Sequence, residues 1–305
     1  TKTGIPQFMS FALWMIRIKG WFAGRPFERA CRSPKAAQAA LLNEIVTQNC
    51  TTAFGQDHGF DSINNYEDYR NKVPIRDYEG HRAYVDLITT DNPQALTTEA
   101  PFMFGSTSGT TSAAKWVPVN ESWRRQLASI VRLWLSRAAK SHPKMLSGKV
   151  LTIVSPAVEM HAPNGLPVGS VSGLTNSKVP WFIRRNYALP YEVAEIENYE
   201  LRYYVIARLG AESNVSLLIT PNASTLHRIA AVLSQETHRI IDGINKGTLG
   251  IDLGPLSSEQ KALLNRITSK LKPNPKRAPV KQEPKEICAP ASKRVPNPLP
   301  HDIVS

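Results

Sequence analysis

Cysteine is scarce: there are three in 305 residues, Cys31, Cys50 and Cys288. The number is odd, the spacing is wide and no C-x-x-C pair occurs. This excludes a disulfide framework and a cysteine zinc site, and it points to a reducing, cytoplasmic setting. Long apolar runs are also lacking. The most hydrophobic stretch, Phe8 to Ile16, is followed at once by Arg17 and Lys19. It falls short of the ~20 residues a bilayer-spanning helix needs. A secretory signal would place its charge before the run and end in small residues. The run therefore reads as a buried or partly buried helix in preference to a membrane-surface one.

Several catalytic and binding motifs are missing as well. Neither His58 nor His161 has a second His or a Cys at ligand spacing, so no metal site is predicted. No serine stands in G-x-S-x-G, and no G-x-x-x-x-G-K-[ST] occurs. Glu159 and His161 are close enough in sequence for an acid/base pair, although a packed loop pair is the better reading. Acidic residues are the minority charge, 25 against 37 Lys and Arg, which leaves a net +12. Such an excess attracts polyanions. Yet there is no zinc-finger or helix-turn-helix spacing and no Arg/aromatic interleaving of the kind that reads single strands, so no specific nucleic-acid reader is expected. Residues 270–305 hold eight Lys or Arg against three acidic residues. This part of the chain is open to non-specific contact with nucleic acid or anionic lipid.

What remains is a chain of ordinary globular composition, 42% hydrophobic and 20% charged, long enough for a sizeable core. Helical patterns cover 5–23, 35–53, 64–73, 74–88, 198–209, 224–245 and 259–271. The second has an apolar stripe of Ala36, Ala39, Ala40, Leu42, Ile45 and Val46. A long helix from Glu121 to Lys140, capped by Asn120, has the stripe Trp123, Leu127, Ile130, Val131, Trp134 and Ala138. Strands are expected at 101–104, 115–119, 150–154 and 215–220. Residues 155–190 read as loops and short strands. Alternating strands and helices give an α/β fold over 1–272. Residues 273–305 contain eight prolines and read as a disordered tail.

One segment carries chemistry. Gly105-Ser-Thr-Ser-Gly-Thr-Thr-Ser-Ala-Ala-Lys115 holds six hydroxyls between positions 106 and 112. Its glycines permit positive φ and close approach to an anion. Hydroxyls and main-chain N–H groups donate to phosphate oxygens without bulk, and Lys115 adds a cation. A flexible Ser/Thr/Gly linker has the same composition. This segment, however, is framed by two short apolar strands, Phe102–Phe104 and Trp116–Val119, where a linker has no need of a frame.

Thr107-Ser-Gly-Thr-Thr-Ser112 with Lys115-Trp-Val-Pro118 resembles the phosphate loop of adenylate-forming enzymes. The similarity is greatest to the auxin-responsive promoter (Gretchen Hagen) family of acyl acid–amido synthetases. Further matching text stands upstream in the same order: Thr52-Ala-Phe-Gly55, His58-Gly-Phe60, Tyr66-Glu-Asp-Tyr-Arg70, Val73-Pro-Ile75 and Asp77-Tyr78. Downstream come Ser155-Pro156 through Gly165-Leu-Pro167, then Ser172-Gly173 and Tyr203-Tyr204. The resemblance covers about residues 35–278.

The resemblance implies part of an adenylate-forming N-terminal domain, with mixed sheets flanked by helices. It implies a ligase that uses ATP and Mg²⁺ to turn a small carboxylic acid into an acyl-adenylate and then passes the acyl group to an amino acid. Thr107, Ser108, Gly109, Thr110, Thr111 and Lys115 would hold the ATP phosphates. The helix after the loop would line the acyl pocket with Arg125, Ser129, Arg132 and Leu133. Either arginine would meet the acid's carboxylate, unless both are solvated on an outer face. The family's loop has a glycine and often a basic residue where this chain has Ala113 and Ala114. No aromatic-x-x-[ST]-E segment follows residue 220. The expectation is an N-terminal part only, a truncated product or shortened paralogue whose C-terminal half is missing or supplied by another polypeptide. The alternative function is a non-catalytic remnant or regulatory fragment that binds nucleotide or a small acid.

Overall fold

The computed structural model describes residues 7–90, 92–107 and 115–277; the backbone alone is described for 7–13 and 107. Helix α1 (Gln7–Arg32) runs beyond the expected end at 23, through Gly24 and Pro26. The local breakers are overridden because a second long helix packs along it, and tertiary packing outweighs propensity. Helices α2 (Pro34–Gln48), α3 (Ala53–Asp57), α4 (Tyr66–Lys72) and α5 (Glu79–Thr90) follow. The expected stripe of α2 is not a buried face. Ala36, Ala39, Ala40 and Ile45 are exposed, and only Val46 is buried, against Phe60 and Ile63. An alanine-rich helix satisfies the sequence pattern without needing cover. Helix α5 starts later than the expected Pro74, because the Asp77 carboxylate accepts from the Gly80 N–H and fixes the first turn there.

Strands β1 (Met103–Thr107) and β2 (Lys115–Val119) lead into α6 (Glu121–Ser141), where Asn120 Oδ1 accepts from Trp123 N at 2.9 Å as the cap. The α6 stripe read from the sequence is the outer face. Trp123, Ile130, Val131 and Trp134 are 40–64% exposed. The body-facing side carries Ala139, and the side towards α1 carries Leu133 and Ser136. Helix α1 approaches here through Gly20 and Gly24. A Cβ on Gly20 would fall 1.9 Å from Ser136 Cβ, and one on Gly24 3.0 Å from Leu133 Cδ1. Any side chain at Gly20 would therefore force the two helices apart.

Strand β3 (Lys149–Thr152) is followed by β4 (Met160–His161) and β5 (Pro167–Gly169). Within the 155–190 stretch expected as loops and strands, two short helices appear, α7 (Val171–Ser177) and α8 (Trp181–Arg184). Ser170 caps α7 by accepting from the Gly173 N–H; the helix is too short for periodicity to show. Then come α9 (Tyr199–Glu212), β6 (Val215–Ile219), α10 (Ala223–Gln235), α11 (Thr237–Lys246) and α12 (Ser258–Thr268). The single helix expected over 224–245 is broken at Glu236. There the Thr237 hydroxyl donates to Leu233 O at 2.6 Å and competes with the main-chain ladder.

One sheet has the order β2-β1-β5-β4, with β1 antiparallel to β2 and parallel to β5. Its core face holds Phe104, Val168, Val85, Ile88 and Ala162. Strands β3 and β6 pair in parallel as a second sheet. The largest core surrounds α9, in which every residue from Tyr203 to Leu209 is buried. Inside it Arg208 has no solvent exposure. Its Nε donates to Thr248 O at 3.0 Å, its Nη2 to Gly243 O at 2.9 Å and its Nη1 to Glu212 Oε2 at 2.6 Å. Past the expected domain end at 272, the chain is still tied to the body. Arg277 donates to Ala211 O and Ser213 O at 3.1 and 3.0 Å. The tail expected over 278–305 lies outside the described residues.

Arg208→Met leaves two buried carbonyls and a carboxylate without their donor. It is expected to lower unfolding stability by about 3–5 kcal/mol in urea titrations. A second prediction concerns pH. The buried Tyr204 hydroxyl donates to Leu249 O at 2.7 Å, and burial pushes its pKa up to about 12. The unfolded value is ~10. This group's contribution is therefore complete below about pH 10 and is lost as pH rises towards 12. Tyr204→Phe should flatten that alkaline decline and cost about 1–2 kcal/mol at pH 7, both read from urea titrations between neutral and alkaline pH.

Candidate functional site

The serine- and threonine-rich segment is the connection of the β1–β2 hairpin. The register pairs Met103 with Val119 and, at the far end, Thr107 with Lys115. Of the six expected phosphate-binding residues, the hairpin thus brings Thr107 and Lys115 side by side. Ser108, Gly109, Thr110 and Thr111 lie outside the described residues, as do Ala113 and Ala114.

The root of the hairpin is held by a residue to which the sequence reading assigned no role. Strand β2 is a sheet edge, so main-chain groups of Trp116 point away from β1. The Tyr78 hydroxyl takes both: it accepts from Trp116 N at 2.8 Å and donates to Trp116 O at 3.1 Å. A single phenol thus satisfies the donor and the acceptor that an edge strand leaves open. Lys115 Nζ stands 5.7 Å from the centroid of the Tyr78 ring, and the Arg82 guanidinium stands 5.0 Å from it. Arg82 Nε also meets Glu79 Oε2 at 2.6 Å. That hydrogen bond raises the guanidinium's already high pKa and holds the Glu79 carboxyl below the usual range, with a smaller contribution from Lys115. The result is two cations and one carboxylate around an aromatic ring at the mouth of the loop.

The matching text upstream builds the support for this clasp. Thr52 Oγ1 accepts from Gly55 N at 3.0 Å and starts α3. The Phe54 ring then packs among His58, Phe60, His81 and Tyr84, with centroids 4.2–5.8 Å away. His58 is a packed turn residue, its Nδ1 2.8 Å from Phe54 O. The Asp77 cap sets the start of α5 and with it the position of Tyr78. At the other end of α5, Asn164 Nδ2 donates to Ile88 O at 2.9 Å and ties on the β4–β5 turn. His161 in β4 and Glu159 just before that strand are both exposed. Among the described residues, no group of three or more His, Cys, Asp or Glu side chains could hold a metal ion.

The four acyl-site candidates are on α6. Arg125 is exposed and donates to Ser122 Oγ at 2.9 Å in the first turn. Leu133 borders Gly24 of α1, and the Arg132 carbonyl borders Gly20. Ser129 stands one turn before Leu133 and is half-buried, while the Arg132 side chain is exposed. A cavity of about 530 Å³ lined by Phe102, Met103, Ala157, Leu174, Glu121 and Lys178 lies at the start of β1. Four residues of extended chain, ~13 Å, separate that end from Thr107.

A family model described as the GH3 family N-terminal domain matches residues 24–296. This chain belongs to the GH3 family. Indole-3-acetic acid-amido synthetase GH3.2 of Arabidopsis thaliana is 29% identical over 171 residues, which cover 54% of this chain and 30% of that one. Among solved structures, the GH3.15 acyl acid amido synthetase superposes with a TM-score of 0.62 at 20% identity, over 78% of this chain and 42% of that one. AtGH3.15 in complex with 2,4-DB superposes with a TM-score of 0.65 at 20% identity, over 79% and 42%. The fold is thus the mixed α/β arrangement of the GH3 N-terminal domain, as the resemblance implied. The chain spans about a third to two fifths of the length of these relatives. Among the described residues, no helix is long and apolar enough to cross a membrane.

The aspartate cap followed by an aromatic and, four residues on, an arginine was a readable signal for Tyr78, since i,i+4 neighbours meet on a helix. Tyr78→Phe keeps the ring and removes the hydroxyl. The Trp116 amide is expected to exchange with deuterium at least about tenfold faster, equivalent to about 1.4 kcal/mol, within the range of one or two lost hydrogen bonds. Amides of the β1–β5 pairing should be unchanged.

Proposed function

We propose that this chain supplies the ATP-phosphate grip of an acyl acid–amido synthetase. In this reading a small carboxylic acid is activated as an acyl-adenylate, and its acyl group is then passed to an amino acid. The observation that carries the reading is the hairpin register. Thr107 and Lys115 are paired, so the Gly/Ser/Thr segment leaves and re-enters the sheet at one point, beside a lysine. Among the described residues Lys115 has no carboxylate at ion-pair distance; it faces the Tyr78 ring instead. An ammonium so placed is available to a phosphate. Phosphate transfer chemistry of this kind needs positioning and charge neutralisation more than protein nucleophiles. The carboxylate oxygen attacks the α-phosphorus of ATP and pyrophosphate leaves; the amine then attacks the acyl carbon of the adenylate and AMP leaves. No step is assigned to Mg²⁺.

The printed names of the relatives, an indole-3-acetic acid-amido synthetase and acyl acid amido synthetases, support the substrate classes of an organic acid and an amine. The shared span, 42% of the solved chains, supports assigning this stretch the nucleotide grip in preference to the complete reaction. A second reading is that the chain binds nucleotide or a small acid without turnover.

Calorimetry with ATP and pyrophosphate exchange across a panel of aryl and indolyl acids test both. Binding with acid-dependent exchange is the expected outcome for the enzyme, and binding without exchange selects the second reading. Absence of ATP binding overturns the first, and absence of acid binding as well overturns the second. Lys115→Ala is expected to weaken ATP binding by about tenfold or more, the loss of one charge-assisted contact. Arg125→Ala and Arg132→Ala are expected to change the acid dependence and leave ATP affinity in place.

A further inference from the structure

Helix α1 has one side against α6, through Gly20 and Gly24, and another side in solvent. On the open side Trp21 is 52% and Phe22 62% exposed. Arg25 is one turn and Arg29 two turns further along the same side, and both are exposed too. The Arg25 guanidinium lies 3.8 Å from the Trp21 ring centroid. The charge is one-sided. From 14 to 32 the helix has Arg17, Lys19, Arg25, Arg29 and Arg32 but a single carboxylate, Glu28, and Arg137 of α6 pairs with that one. Between the helices, beside Trp21, a cleft of about 220 Å³ is lined by Arg17, Lys140, Ser136 and the Arg137–Glu28 pair, so three cations face one carboxylate there.

We propose that this face of α1 docks on an anionic phospholipid surface. The observations fit that occupant better than a globular partner. A protein surface would have to supply a row of carboxylates between apolar pockets along the helix. A lipid leaflet offers phosphates at every position with an apolar layer just beneath. Trp21 and Phe22 enter the headgroup boundary, where aromatic rings are favoured. Arg25 and Arg29 stay at phosphate level by extending their apolar stems. The basic cleft receives one headgroup phosphate. At 26 residues the helix is ~39 Å long and lies flat, as interfacial helices with mixed aromatic and basic faces do.

Flotation of the full chain tests this with vesicles of phosphatidylcholine alone and of phosphatidylcholine with phosphatidylserine. The expected result is binding that requires phosphatidylserine and weakens as salt is raised, since screening shortens the reach of surface charge. Two variants at exposed positions, Trp21→Ala with Phe22→Ala and Arg25→Glu with Arg29→Glu, are each expected to reduce binding by about tenfold or more. Unchanged circular dichroism establishes that they fold. No binding to either vesicle overturns the proposal, and so does equal binding to both. Binding that survives both variants overturns it as well, because the lysine-rich segment 273–305 then carries the affinity. If the unaltered chain dimerises without lipid and either variant makes it monomeric, the face is an interface between copies and the proposal fails.

Discussion

A guanidinium with no access to water cannot be tolerated unless each of its nitrogens finds an acceptor. Arg208 uses them by reaching from α9 to the end of α11 and the turn after it. Gly243 and Thr248 offer carbonyls, and Glu212 one turn along offers the counter-charge. That turn passes through Gly247, whose φ of +68° is a left-handed cap that ends α11. Few alternative packings of α9, α11 and this turn would meet all three demands, so the interaction selects one arrangement as much as it stabilises it. The seven consecutive buried residues of α9 then have fixed neighbours. Arg277 hydrogen-bonds the carbonyls at the end of α9 and fastens the last described residues to the same unit.

The hairpin depends on a weaker version of the same logic. An edge strand leaves main-chain groups open, and a phosphate loop gains from a root that does not move. The Tyr78 hydroxyl meets both needs at one residue, Trp116, which directly follows the lysine. Its position descends from an aspartate cap and from the packing of Phe54, residues distant from the loop in sequence. This explains why the family text from Thr52 to Tyr78 is more specific than the loop. Gly, Ser and Thr tolerate many arrangements, whereas a cap, a ring cluster and a clasp have to agree with one another.

The legible parts of the sequence were those in which a local rule and the tertiary structure ask for the same thing. Lys115–Val119 and the Asn120 cap of α6 were readable because a strand, a cap and a helix follow one another without interruption. The end of α1 was not, because Gly24 and Pro26 obey propensity while the helix obeys its contact with α6. Helices α7 and α8 escaped because they are short and set by capping and turns. The break at Glu236 escaped because one threonine hydroxyl competes with the main chain. At the candidate site, the framing of the Gly/Ser/Thr loop by two short strands was readable. The clasp on Trp116 was not: the spacing of Asp77, Tyr78 and Arg82 signals the ring–guanidinium contact, but 38 residues of chain separate Tyr78 from Trp116 and no periodicity spans that distance.

Periodicity also failed to tell inside from outside on α6, and the reason is instructive. That helix has two kinds of apolar contact. Towards α1 the contact is made by small residues and a leucine, Ser136 and Leu133 against glycines, which a hydrophobicity pattern scarcely registers. The strong stripe of Trp123, Ile130, Val131 and Trp134 faces outward. A hydrophobic stripe records a demand for cover, not its fulfilment, and close helix contact can be made with almost no stripe. Charge is what separates this outer face from that of α1. The α6 stripe has no ionised side chain within it, so nothing in it says what chemistry would cover it. On α1 the aromatic rings are interleaved with arginines, and one guanidinium already lies over an indole. Only the second face carries enough information to name its counterpart, because electrostatic complementarity specifies a partner where burial alone does not.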